Sequence, residues 1–121
     1  MDIVELIIVS HSSKIAEGIQ DLMKEMAPIV PIHLAGGLED GAIGTDVNRI
    51  LTALNEVKGE ALLLSDIGSA TMNAELAIDM YEGDKEVAFF DGPIVESAFI
   101  ASVSSGNDMS LSDIVEQLKQ Q

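Results

Sequence analysis

The chain contains no cysteine, which removes disulfides, thiolate metal sites and cysteine nucleophiles together. It is also poor in positive charge. Lys14, Lys24, Arg49, Lys58, Lys85 and Lys119 are its six basic residues against 21 acidic ones, for a formal net charge of -15. These six are scattered along the chain, so no basic patch offsets the acidity, and binding to nucleic acid or to an anionic membrane is disfavoured. Such a surface favours solubility and a docking partner with a basic face. Long apolar runs are lacking too: the stretch 3–9 contains Glu5, follows Asp2 and ends at Val9, too short and wrongly flanked for a signal peptide or a membrane span. A cytoplasmic protein is expected.

Several motifs are missing. No GxxxxGK[ST] follows an apolar run, and Ser10-His11-Ser12-Ser13 is not the glycine fingerprint of dinucleotide binders, so neither ATP nor NAD is expected in the usual loop modes and no cofactor is expected. With two histidines, His11 and His33, and neither HExxH nor EF-hand spacing, no dedicated metal site is expected. His33 reads as structural, and Glu39 and Asp40 as solubilising loop charge.

What is present is an alternation of strands and helices over 121 residues with 47% hydrophobic and 22% charged content, the composition of one globular domain, residues 1–121. Residues 4–10 form an apolar, β-branched run suited to a strand buried on both faces. Ile15, Ile19, Leu22, Met23 and Met26 then recur at helical spacing until Pro28 stops the helix. Residues 30–34 predict a second strand, followed by a glycine-rich loop from Ala35 to Gly41. Thr45, with Asp46 behind it, reads as the N-cap of a helix carrying Val47, Ile50, Leu51, Leu54 and Val57 and closed by Gly59. The pattern repeats: a strand over 61–64, a loop Ser65-Asp66-Ile67-Gly68-Ser69, and a helix bearing Met72, Leu76 and Met80 and ended by Gly83. The methionines at helical spacing are expected in the core. A strand over 87–90 follows, then a helix from Pro93 whose apolar stretch 94–103 should be largely covered. Ser110 and Asp113 resemble a capping box opening a last amphipathic helix.

This alternation implies right-handed crossovers and an α/β, doubly wound, three-layer domain, with a parallel sheet in the order 2-1-3-4 and helices on both faces. In that order the chain reverses direction between the first and third strands, and ligands bind at the carboxyl ends of the strands flanking such a reversal. His11 follows the first strand. An imidazole there suits a phosphoryl group or another anion, with Ser12, Ser13 and the free N–H groups of a helix start as oxygen ligands. Asp66 should emerge beside His11 and accept from one ring nitrogen, leaving the other with its lone pair outward as a nucleophile. Gly44 with Thr45, and Gly68 with Ser69, could add donors from two further helix starts. A single loop histidine is ordinarily a polar surface residue, and Asp66, Ser65 and Thr45 taken singly are ordinarily caps.

The stretches Val9-Ser10-His11-Ser12-Ser13, Ala16-Glu17-Gly18, Gly36-Gly37 with Ile43-Gly44-Thr45-Asp46, Asp66-Ile67-Gly68-Ser69-Ala70 and Pro93-Ile94-Val95-Glu96 resemble, in order and through nearly the whole chain, the DhaM family. These are phosphotransfer subunits of dihydroxyacetone kinase, relatives of the mannose-type IIA domain of the bacterial phosphotransferase system. The resemblance implies a phosphotransferase whose His11 is phosphorylated on Nε2 by the carrier protein HPr, with Asp66 supporting the ring. Phospho-His11 then passes the group to ADP held on the nucleotide-binding kinase subunit. It also implies a homodimer, and excess hydrophobicity suggests the helix from Ile94 or its neighbours as the contact. The chain carries no linked carrier domain, so the donor is expected to be a separate protein. Two alternatives remain open: a mannose-type IIA component feeding a IIB sugar-transport protein, and a non-catalytic regulatory module that binds an anion at the same helix starts.

Overall fold

Every residue of the first strand, β1 (Val4–Ser10), is buried, because side chains alternate between two faces of the sheet and helices cover both. The structure, a computed structural model, describes residues 3–121. After β1 come α1 (Ser13–Met26), β2 (Ile32–Gly36), α2 (Val47–Glu56), β3 (Glu60–Ser65), α3 (Ser69–Met80), β4 (Val87–Phe90), α4 (Ile94–Gly106) and α5 (Leu111–Leu118). The sheet order is β2-β1-β3-β4 with every pairing parallel, as the alternation of strands and helices predicts. Leu6 and Ile8 point into a core shared with α1, α4 and α5, while Ile7 and Val9 point into one shared with α2 and α3.

The second strand starts two residues later than the apolar run suggests. Pro31 has no N–H for the ladder; its carbonyl accepts from the Leu6 N–H at 3.1 Å, and paired backbone continues from Ile32 to Gly36, opposite Ser10. Gly36 is needed there: a Cβ would lie 2.7 Å from Ala16 Cβ and 3.0 Å from the Ser12 carbonyl oxygen. The end of β2 and the start of α1 therefore touch through backbone, which brings the glycine loop beside Ser12 and Ser13.

Two helices turn a different face inward than hydrophobicity implies. In α3 the core side is Ala70, Ala74 and Ala77, whereas Met72, Leu76 and Met80 are exposed; close approach to the sheet selects the small residues and displaces the long ones. The expectation that the methionines are core holds for Met23 and fails for Met26, Met72 and Met80. In α4 the buried residues are Ser97, Ala98, Ala101, Ser102, Ser104 and Ser105, while Val95 and Phe99 stay exposed, so this helix is covered on one side only. Two of its hydroxyls find acceptors, Ser105 on the Val4 carbonyl of β1 and Ser104 on Gln117 Oε1, while the buried Ser102 hydroxyl has no partner among the described residues.

Helix termini also differ in detail. The cap of α2 is Asp46, whose Oδ1 accepts from the Asn48 N–H at 2.8 Å, rather than Thr45. The helix closes at Val57 and α3 at Tyr81, ahead of the glycines expected to end them. At α5, Ser110 caps through the Asp113 N–H at 3.2 Å.

Candidate active site

The parallel register places Val9 of β1 opposite Ser65 of β3, so the residues that follow, Ser10-His11 and Asp66, leave the sheet side by side. The Asp66 carboxylate is then surrounded by donors. Its Oδ1 accepts from His11 Nδ1 at 3.0 Å and the Ile67 N–H at 2.7 Å, and its Oδ2 from the Ser10 hydroxyl at 2.8 Å and the His11 N–H at 3.0 Å. Those four bonds match the acceptor capacity of an ionised carboxylate. Burial pushes the Asp66 pKa up, but the hydrogen bonds from the His11 ring, the His11 and Ile67 N–H groups and Ser10 outweigh it and hold the group below its ordinary value.

An ionised carboxylate only accepts, so in the neutral imidazole Nδ1 carries the proton and Nε2 presents its lone pair. Nε2 meets the Ser69 hydroxyl at 2.9 Å, which donates to that lone pair. The His11 side chain keeps 22% of its surface accessible, and the contact between Nε2 and Ser69 lies on its exposed side. Ser69 opens α3 without a side-chain cap, behind Gly68 at φ 51, a conformation that disfavours residues with a Cβ. The start of this helix therefore faces Nε2 without a competing carboxylate.

The other sequence-predicted ligands are arranged unequally. The Ser12 hydroxyl caps α1 by accepting from the Ile15 N–H at 3.3 Å, and the Ser12 N–H donates to Ser10 Oγ at 3.0 Å. Ser13 abuts the glycine pair: a Cβ on Gly37 would lie 3.2 Å from its nitrogen. The Gly44 N–H donates to the His11 carbonyl at 2.9 Å, so it fastens the loop and is not a free donor. The Thr45 hydroxyl accepts from Asn73 Nδ2 at 2.6 Å. With Asp46 as its cap, α2 presents a carboxylate where an open set of N–H groups was expected. Of the three helix starts, that of α3 suits an anion at Nε2 best.

A family model described as the PTS system fructose IIA component matches residues 5–118. The chain belongs to that family. Among curated relatives of this IIA chain, the dihydroxyacetone kinase phosphotransferase subunit DhaM of Lactococcus lactis is 39% identical, over 94% of this chain and 92% of the relative. The phosphoryl donor subunit DhaM of dihydroxyacetone kinase 1 of Listeria innocua is 36% identical, over 94% and 91%. A solved crystal structure of a protein of unknown function superimposes with a TM-score of 0.89 at 34% identity, covering 99% of this chain and 95% of that one. The phosphotransferase component EIIA of Streptococcus agalactiae, at 20% identity and a TM-score of 0.72 over 97% and 90%, shares the fold.

Two features of this IIA chain were not assigned from sequence. Ser10 is fully buried and links Asp66 to the Ser12 N–H; a serine ending an otherwise apolar strand is the signal that could have revealed it. The second is Glu5, nearly inaccessible in β1, which accepts from His33 Nε2 at 2.7 Å and from the Lys58 and Gly59 N–H groups at 3.0 and 2.7 Å. A carboxylate inside a strand buried on both faces requires such partners. This gives His33 the structural role expected of it. Among the described residues there is no cluster of three or more metal-ligating side chains and no helix long and apolar enough to cross a membrane.

Proposed function

We propose that the chain is the cytoplasmic phosphohistidine carrier of a phosphoenolpyruvate-dependent dihydroxyacetone kinase. It accepts a phosphoryl group from phospho-HPr on His11 Nε2 and delivers it to ADP on the nucleotide-binding kinase subunit. The observation that carries this reading is the hydrogen bond from His11 Nδ1 to Asp66 at 3.0 Å, which leaves Nε2 as the outward nucleophile. The dihydroxyacetone destination, rather than a IIB sugar-transport protein, is supported by the descriptions of the relatives at 39% and 36% identity.

In the first step the Nε2 lone pair attacks phosphorus, the P–N bond to the donor histidine breaks, and its electron pair stays on the donor ring. His11 becomes a phosphorylated imidazolium whose Nδ1 proton remains on the bond to Asp66, and the carboxylate balances the new ring charge. Ser69, released from the lone pair, donates to a phosphoryl oxygen, with the start of α3 behind it. In the second step a β-phosphate oxygen of ADP attacks, the Nε2–P bond breaks, and His11 returns to its neutral form. Such transfers depend on positioning and charge stabilisation.

Incubation of wild type and His11→Ala with enzyme I, HPr and phosphoenolpyruvate, followed by intact mass, tests the relay. One acid-labile phosphoryl group on wild type and none on the variant is expected. A folded wild-type protein that takes up no phosphate would overturn the reading in favour of an anion-binding module. The carrier is further proposed to be a homodimer joined through the exposed apolar groove between α1 and α4, where Leu22, Val95, Phe99 and Ile100 meet. Sedimentation at micromolar concentration should give a dimer for wild type and a monomer for Phe99→Ser; a wild-type monomer would remove the proposal.

A further inference from the structure

Ser10 ends β1 with no accessible surface, and among the seven residues of that strand only it and Glu5 are polar. A buried hydroxyl costs stability unless it is hydrogen-bonded, so its partners define what it can do. The Ser12 N–H donates to Ser10 Oγ at 3.0 Å, and Ser10 Oγ donates to Asp66 Oδ2 at 2.8 Å. A main-chain N–H only donates, so it occupies the hydroxyl oxygen from the side of α1 and leaves the hydroxyl proton to the carboxylate. The two bonds run in one direction, from the start of α1 through Ser10 to Asp66.

The strand-end serine of β3 behaves differently. Ser65 is 1% exposed, and its hydroxyl meets Thr71 Oγ1 at 2.9 Å. A buried serine at the end of a strand can therefore be satisfied by the helix that follows it. Ser10 instead reaches a group 56 positions away, the one that holds the histidine.

The last torsion of an aspartate is broad, so Asp66 Oδ1 stays in line with His11 Nδ1 only while Oδ2 is held. Two donors hold Oδ2, Ser10 and the His11 N–H. The second belongs to the residue being aimed; the first is anchored independently, on the Ser12 N–H. Burial pushes the Asp66 carboxyl up, and Ser10 joins the His11 ring and the His11 and Ile67 N–H groups in holding it down.

We propose that Ser10 is a positioning residue for phosphoryl transfer: its hydroxyl fixes the plane of the Asp66 carboxylate and, through it, the Nδ1-protonated form of His11 that presents Nε2. The proposal rests on the phosphocarrier reading above, since the role is one in the reaction of Nε2. Once the ring is a phosphorylated imidazolium, the same bond keeps the balancing charge on Asp66 and the proton on Nδ1. When the Nε2–P bond breaks in the second transfer, its electron pair returns to Nε2 and the ring leaves as a neutral imidazole.

The test compares wild type, Ser10→Ala, Ser10→Cys and Ser10→Thr in phosphorylation by phospho-HPr, with nitrogen NMR of the His11 ring before phosphorylation. Alanine removes the hydroxyl, cysteine replaces it with a weak donor, and threonine keeps it. The alanine and cysteine variants should lose about 10- to 100-fold in kcat, the scale of misplacing a reacting atom. Their KM should stay within about twofold, because a buried residue meets no docking protein. Their two ring-nitrogen shifts should move toward each other as tautomers mix, whereas threonine should keep the wild-type kcat and shifts. Where alanine does not fold, the contrast between cysteine and threonine gives the same reading. A folded alanine or cysteine variant with wild-type kcat would overturn the positioning role and leave the carrier reading intact. So would a lowered kcat with unmoved ring shifts, or a threonine variant as slow as alanine. A wild type that takes up no phosphate from phospho-HPr would overturn the carrier reading and this role with it.

Discussion

Asp66 holds His11 at two points at once: one carboxylate oxygen on ring Nδ1 and the other on the main-chain N–H, each at 3.0 Å. The first bond sets the tautomer and the second sets where the ring begins, so one side chain fixes both the chemistry and the position of Nε2. Because all four groups bonded to this carboxylate are donors, no amide can replace it without facing donor to donor.

Asp66→Asn is therefore expected to slow phosphorylation of His11 by at least about 100-fold, the scale of losing a positioned proton-holding group. The initial rate with phospho-HPr, read by intact mass, checks this. A variant as fast as wild type would show that Nε2 is presented without the carboxylate.

The same carboxylate should shape stability in acid. Its folded pKa lies below the unfolded value, so the unfolded chain binds this proton first as pH falls. The stabilisation is complete above the unfolded pKa of about 4 and is lost as pH drops through the folded pKa. Urea midpoints between pH 6 and 2.5 should fall more steeply for wild type than for Asp66→Asn in that lower window. Parallel curves would contradict the shift.

Gly36→Ala is expected to destabilise the protein by about 1–3 kcal/mol, the usual cost of overpacking, because the new Cβ would lie 2.7 Å from Ala16 Cβ. Ala16→Gly in the same chain should return part of the loss, as residues in contact couple. The Ser12 carbonyl at 3.0 Å should keep the rescue incomplete. Denaturant midpoints of the four forms measure the coupling.

Glu5→Gln separates stability from activity. Glu5 receives bonds from His33 and from the Lys58 and Gly59 N–H groups, and a glutamine leaves at least one of these donors facing an NH₂. A loss of about 1–3 kcal/mol is expected. The phosphorylation rate at a temperature where the variant is folded should be unchanged, since Glu5 lies toward the opposite end of β1 from His11. A rate defect would mean that the two ends of the strand are coupled.

The strand order, the helix count and the meeting of His11 with Asp66 were legible in the chain because they follow from short-range pattern and a topological rule. Apolar runs of strand length buried on both faces, separated by helical repeats, allow few sheets, and the residues after the first and third strands must then emerge together. Which helical face points inward was not legible. On α3 and α4 the long apolar residues outweigh alanine and serine on any hydrophobicity scale, yet the fully buried positions are held by alanine and serine, with Ile78, Ile94 and Ile100 only partly buried beside them. Nor was the cap of α2 legible: Thr45 reads as the cap, but both types cap well, and Asp46 takes the role while the Thr45 hydroxyl accepts from Asn73, 28 residues away.

The sequence by itself determined the architecture and put His11 at the carboxyl end of the first strand, because periodicity and the reversal of chain direction are properties of one strand of text and one geometric rule. Only the tertiary structure decided that four donors converge on Asp66 and that Ser69 rests on the Nε2 lone pair. Each of those depends on distances of about 3 Å between residues far apart in the chain, and hydrogen bonding and packing act at that range.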